Sequence, residues 1–101
     1  MNSRRLYTPV RVGSIELPNR LIMAAMETGF CNDTDSLIND GIIEYFRLRA
    51  KGHPGLIIVG GGMIDPDNRA IKDMINICDD SAVKGLRILI DAIHAESPDY
   101  L

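Results

Sequence analysis

The chain has 101 residues, of which 46% are hydrophobic and 25% charged, with a formal net charge of −3. Length points to one domain, and the composition excludes a disordered, collagen-like or low-complexity chain. Residues 1–51 hold 7 Lys/Arg against 6 Asp/Glu and residues 52–101 hold 4 against 8. Neither half carries a basic field, so no nucleic-acid partner is expected. The longest apolar run, Leu21 to Met26, is far shorter than the ~20 residues of a membrane span. No apolar leader segment follows Arg4-Arg5, so neither a membrane span nor a signal peptide is expected. Cys31 and Cys78 lie far apart without a C-x-x-C or Cys/His cluster. They read as reduced thiols of a cytoplasmic protein, not as metal ligands.

Residues 9–18 read as a β-hairpin. Val10 and Val12 alternate with polar neighbours, Gly13-Ser14 supplies the turn, and Ile15 and Leu17 alternate on the return. Pro18-Asn19-Arg20 ends that pattern. Leu21-Ile22-Met23-Ala24-Ala25 is continuously apolar, as in a strand covered on both faces of a parallel sheet; a buried helical turn is the competing reading. Residues 26–35 are rich in turn formers and read as a loop. The spacing of Ile42, Ile43, Phe46 and Ala50 predicts a helix over about 40–51. Asn39 is its N-cap, Asp40 suits its first turn, and Arg47, Arg49 and Lys51 crowd its last turn before Gly52.

Leu56-Ile57-Ile58-Val59 reads as a second buried strand, reached through His53-Pro54-Gly55 and ended by Gly60-Gly61-Gly62. A long loop follows, with a turn at Asp65-Pro66-Asp67-Asn68. Asp79-Asp80 then caps a second helix with an apolar face of Val83, Leu86, Leu89, Ile90 and Ile93, and Pro98 stops it. The order hairpin, β, α, β, α predicts a parallel α/β fold. Two core strands are few for a self-contained parallel sheet, and each leaves an unpaired edge. Self-association or a complementing chain is therefore expected.

The three glycines after the second strand open no helix and match neither G-x-G-x-x-G nor G-x-x-x-x-G-K-[ST]. They read as permitting a close backbone approach or a tight exit from the strand. His53 reads as a turn residue and His94 as solvated near a helix end. No Ser/His/Asp or Cys/His nucleophile set can be assembled, so no catalytic residue and no metal ligand is assigned. Met23, Met63 and Met74 read as core filler. Met26 stands apart because it lies at a strand's C-terminal end, where α/β barrels carry their sites. Glu27 beside it is either a site carboxylate or a solvated loop residue.

Several spaced segments share one resemblance. They are Leu6-Tyr7-Thr8-Pro9-Val10 through Gly13, Leu17-Pro18-Asn19-Arg20-Leu21-Ile22-Met23-Ala24-Ala25-Met26, Ile43-Glu44-Tyr45-Phe46-Arg47-Leu48-Arg49-Ala50-Lys51-Gly52, Gly55-Leu56-Ile57-Ile58-Val59 and Asp91-Ala92-Ile93-His94-Ala95. In that order they resemble the Old Yellow Enzyme family of FMN-dependent NADH:flavin oxidoreductases. Glu27-Thr28-Gly29 and Gly60-Gly61 are most similar to its 2,4-dienoyl-CoA and enoate reductase branch.

The resemblance implies an α/β fold, a partial TIM (βα)8 barrel in which 1–101 forms one truncated segment. Its parts would be the hairpin at 9–18, a first βα unit at 21–52, a second at 55–95, and an unrelated tail at 96–101. It implies FMN as cofactor and NAD(P)H as reductant, with a small-molecule unsaturated carbonyl as substrate. It implies that Ala24, Ala25, Met26 and Glu27 at the first strand's end, and Gly61 at the second's, contact the flavin. Two positions depart from the family pattern: Ala25 stands where many members have proline, and Glu27 where many have Thr or Cys. A carboxylate there would disfavour an anionic reduced ring. The family's His/His or His/Asn substrate pair and its phosphate-binding glycines would lie beyond this length, so the isolated chain is expected to be inactive.

Overall fold

The computed structural model describes residues 3–31, 35–68 and 74–97. A short 3-10 helix at Ser3–Tyr7, which the sequence pattern did not announce, leads into β1 (Val10–Val12) and β2 (Ile15–Leu17). These pair antiparallel with Val10 opposite Leu17 and Val12 opposite Ile15. Gly13, at φ +59°, takes the left-handed position of the turn between them. Arg20 ties this unit down: its backbone N–H donates to the Leu6 carbonyl at 2.9 Å and its Nε donates to Thr8 Oγ1 at 3.2 Å.

The two apolar runs form β3 (Ile22–Met23) and β4 (Leu56–Ile57), paired parallel with Ile22 opposite Leu56. Both strands are shorter than their apolar runs, because among the described residues each has a strand neighbour on one side only and the outer residues lack ladder partners. Hydrogen bonds still run past the ends, from Gly55 N–H to the Leu21 carbonyl at 2.8 Å and from Ile58 N–H to the Met23 carbonyl at 3.0 Å. Between them runs α1 (Asp40–Ala50), started as expected by Asn39, whose Oδ1 accepts from Ile42 N–H at 3.1 Å. His53, at φ +53°, is the turn residue that leads the chain away from α1.

A region expected to be loop contains a further parallel pair, β5 (Gly62–Met63) with β6 (Ile75–Asn76). Two-residue strands leave no periodicity to detect. The Asp65 turn is present, with Asn68 N–H donating to the Asp65 carbonyl at 3.1 Å. Its carboxylate accepts from the Asn68 amide and the Asp67 N–H, which holds its pKa below the usual value. A 3-10 turn at Asp80–Ala82, capped by Asp79 on Ser81 N–H at 2.8 Å, precedes α2 (Val83–Ala95). The Ser81 hydroxyl and N–H both lower the Asp79 pKa.

The core consists of Cys31, Ile42, Phe46, Ala50, Ile75, Leu89 and Ile93, with Met23, Ile57 and Val59 packed against it. The helices are further joined by Arg47, which donates to Glu44 at 2.6 Å and to Glu96 at 3.0 Å. That pairing lowers the Glu44 pKa and raises that of Arg47. Of the face expected on α2, Leu89 and Ile93 are buried, but Val83 and Ile90 are exposed. The apolar stripe is wider than the surface that α1 and the sheet offer it.

The chain is extended for its size. Its radius of gyration is 15.0 Å, against about 13 Å for a compact domain of 100 residues. Its accessible surface is 6772 Å², against about 5,700 Å² expected for a monomer of this mass. Among the described residues no helix is long and apolar enough to cross a membrane. No group of three or more potential metal-ligating side chains occurs among them either.

Candidate functional site

The parallel pairing of β3 and β4 brings their C-terminal ends level. Beyond them, the Met26 carbonyl lies against Gly60 so closely that a Cβ there would overlap it. A Cβ on Gly61 would lie 2.6 Å from Glu27 Oε1, so the Glu27 carboxylate rests over that glycine. Met74 and Ile75 close the back of the contact. The space remaining is about 10 Å³, at most the room for one water. This is a joint between two strand ends, not a pocket. The sequence reading of these glycines as sites of close backbone approach is thereby given its object: the approach at Gly60 is to the chain's own backbone.

Of the five residues singled out for flavin contact, Met26, Glu27 and Gly61 meet at this joint. Ala24 and Ala25 lie just before it and are exposed. Met26 is 55% exposed, unlike Met63 and Met74, which are buried as core filler should be. Glu27 is exposed and has no hydrogen-bond or ion-pair partner among the described residues. Beyond it the chain folds back through Thr28, whose Oγ1 accepts from Phe30 N–H at 3.2 Å, and Gly29 at φ +67°. The arrangement offers small apolar side chains and one unpaired carboxylate at the mouth of two parallel strands. It contains no nucleophile–base pair.

Sequence reasoning missed Met74 and Ile75 at the joint. Their signal was the short apolar stretch before Asp79, which was absorbed into a loop. His94, expected to be solvated, is half-buried. It lines a separate cleft of about 310 Å³ at the other end of β4, with Leu56, Ile57, Val59, Ile90 and Ile93.

The pattern of the NADH:flavin oxidoreductase / NADH oxidase family matches residues 5–98. A metal reductase of Desulforamulus reducens is 41% identical over 91 residues, covering 90% of this chain and 13% of that protein. An NADH oxidase of Thermoanaerobacter brockii is 30% identical, covering 89% of this chain and 14% of that protein. Among solved structures, a 2-naphthoyl-CoA reductase in complex with 2-naphthoyl-CoA superposes with a TM-score of 0.87 at 32% identity, over 92% of this chain and 14% of that one. Morphinone reductase superposes at 0.80 with 33% identity, over 91% of this chain and 24% of that one. The chain therefore spans a seventh to a quarter of the length of these proteins. With 94 consecutive positions inside the family pattern, the chain belongs to the NADH:flavin oxidoreductase / NADH oxidase family.

Proposed function

We propose that the chain is one segment of an FMN-dependent NAD(P)H oxidoreductase of the ene-reductase kind, inactive by itself. FMN and NAD(P)H are the cofactors of its family. The observation that carries the reading is the joint at Met26, Glu27, Gly60 and Gly61, which levels the C-terminal ends of two parallel strands. In barrels built from such units, that end carries the chemistry.

The residues present fit one edge of a flat cofactor. Ala24 and Ala25 offer exposed side chains too small to hold a ring away, and Met26 offers an exposed apolar one. Gly60 admits no side chain, so the strand ends stay closed behind that surface. When bound, FMN reduced by NAD(P)H supplies hydride to an activated C=C bond. Ala24, Ala25 and Met26 would then exclude water from the ring's neighbourhood, with Gly61 beside them. Glu27 would hold a negative charge there, against any negative charge gained on reduction. The substrate is an unsaturated carbonyl compound, and the setting is cytoplasmic.

Co-production of this chain with the remaining length of a related enzyme tests the reading. The assembled protein should retain FMN absorbance, and the chain alone should show no enone-dependent NAD(P)H oxidation. An assembled protein that retains no flavin, or turnover by the chain alone, overturns it. In the flavin-loaded assembly, Glu27→Gln should raise the FMN reduction potential; an unchanged potential assigns Glu27 to the solvated loop. A second reading, a non-catalytic subunit that pairs through its strand edges, draws on the exposed apolar surface. A stable flavin-free oligomer would favour it.

A further inference from the structure

We infer that Glu27 selects substrates by charge: it turns away unsaturated compounds that carry a free carboxylate and admits neutral ones, such as ketones, esters and amides. The inference rests on the reading of the joint as a flavin-edge site and adds a specificity determinant to it. It starts from where the carboxylate is held. Residues 26 and 27 are wedged against Gly60: a Cβ on that glycine would come within 2.8 Å of the Met26 carbonyl carbon and 3.2 Å of the Glu27 nitrogen. The Glu27 backbone is thereby held at the level of the strand ends. Its side chain lies across Gly61, with Oε1, Cδ and Cγ at 2.6, 3.5 and 3.7 Å from the position a Cβ would take. Glycine at 61 lets the carboxylate rest there, where a larger residue would lift it off.

The charge held there is also uncompensated. Glu27 has no hydrogen-bond or ion-pair partner among the described residues. The described side chains that share the joint with it, Met26, Thr28, Phe46, Met74 and Ile75, are all uncharged. A carboxylate paired with a cation presents little net field to a ligand, whereas an unpaired one presents a full unit of charge. In the open chain, water screens that charge. A flat group laid over Ala24, Ala25 and Met26 removes water from one side of it, and a charge acts more strongly across a drier gap. A second carboxylate brought to the same mouth then meets like charge with no described cation between them. A neutral carbonyl of the same shape pays no such penalty. An unpaired charge set against one ligand class and indifferent to another is a means of discrimination in itself.

The test uses the flavin-loaded assembly and two ligands of nearly equal shape, benzamide and benzoate. Their dissociation constants are measured on the oxidised protein by titration of the flavin absorbance, which separates ligand choice from any change in reduction potential. Other groups of the assembly bias the ratio of the two constants, so the readout is the change in that ratio on substitution. Glu27→Gln should shift it about tenfold or more towards benzoate at low salt. The shift should shrink in about 1 M salt, where the screening length falls to about 3 Å. Glu27→Asp keeps the charge and should move the ratio by less than about threefold. An equal change in affinity for both ligands, or a shift that survives high salt, overturns the proposal. A flavin-loaded assembly whose ratio does not move sinks the charge selection and leaves the flavin reading standing. An assembly that holds no flavin sinks both.

Discussion

The two faces of the β3–β4 pair carry the same kind of side chain and differ in what covers them. On one face Met23, Ile57 and Val59 are partly buried, packed against the core that includes Phe46, Leu89 and Ile93. On the other, Ile22 and Ile58 are about half exposed. Aliphatic composition is equal on both faces, so burial is set by which elements are present to cover them.

Substitutions on the two faces should separate sharply. Phe46→Ala, at a side chain 1% exposed, should cost about 3–5 kcal/mol in a urea titration followed by circular dichroism. Ile58→Ala should change stability by no more than about 0.5 kcal/mol in the chain alone. In the assembled enzyme the same change should cost roughly 2–5 kcal/mol. If Ile58→Ala is already costly in the isolated chain, the contrast between the faces fails.

The joint gives a smaller, sharper contrast. Gly60→Ala forces a Cβ onto the Met26 carbonyl and should cost about 1–3 kcal/mol. Gly61→Ala meets only the tip of the Glu27 side chain, which can swing away, so it should cost less in the same titration. Asn39→Ala removes the cap of α1 and should cost about 1 kcal/mol. The smallest effect belongs to Glu44, whose pKa is lowered first by its hydrogen bond to Arg47. A lowered folded value means stability that is complete above the unfolded pKa of 4.5 and lost as pH falls through the folded one. Glu44→Gln should therefore flatten the fall of melting temperature in acid, by a small amount because Glu44 is exposed and Arg47 partly so, which leaves the pair open to solvent screening.

The sequence made α1 legible because its signals are local. Asn39, the Ile42-to-Ala50 spacing and the basic last turn lie within one continuous stretch, and the helix follows them to within a residue. The hairpin was legible for the same reason. The β5–β6 pair was not, because each strand contributes two residues and its partner lies thirteen positions away. Ser36 was equally silent: it is fully buried at φ +56°, its carbonyl accepts from Asn76 N–H at 2.8 Å, and nothing around it in sequence marks a left-handed residue. At the strand ends, Met26 and Glu27 stood out by their place after an apolar run, while a flavin contact for them and for Gly61 came only from family likeness; their meeting at one joint is a tertiary fact. Val83 and Ile90 were assigned to a buried face because periodicity measures a stripe's width and not the width of what covers it.

The glycines at the two ends of β4 act together as a gauge for strand alignment. At the lower end Gly55 lies against the Asn19 carbonyl, where a Cβ would overlap it, and Asn19 also donates to the His53 carbonyl at 2.8 Å. At the upper end Gly60 lies against the Met26 carbonyl. Side chains keep their facing only if a strand slides by two residues. Sliding β4 one way brings Ile57 onto the Asn19 carbonyl; sliding it the other way brings Ile58 onto the Met26 carbonyl. Each direction is blocked at a different end, so two uniformly greasy strands with no side-chain code for alignment still have one permitted setting.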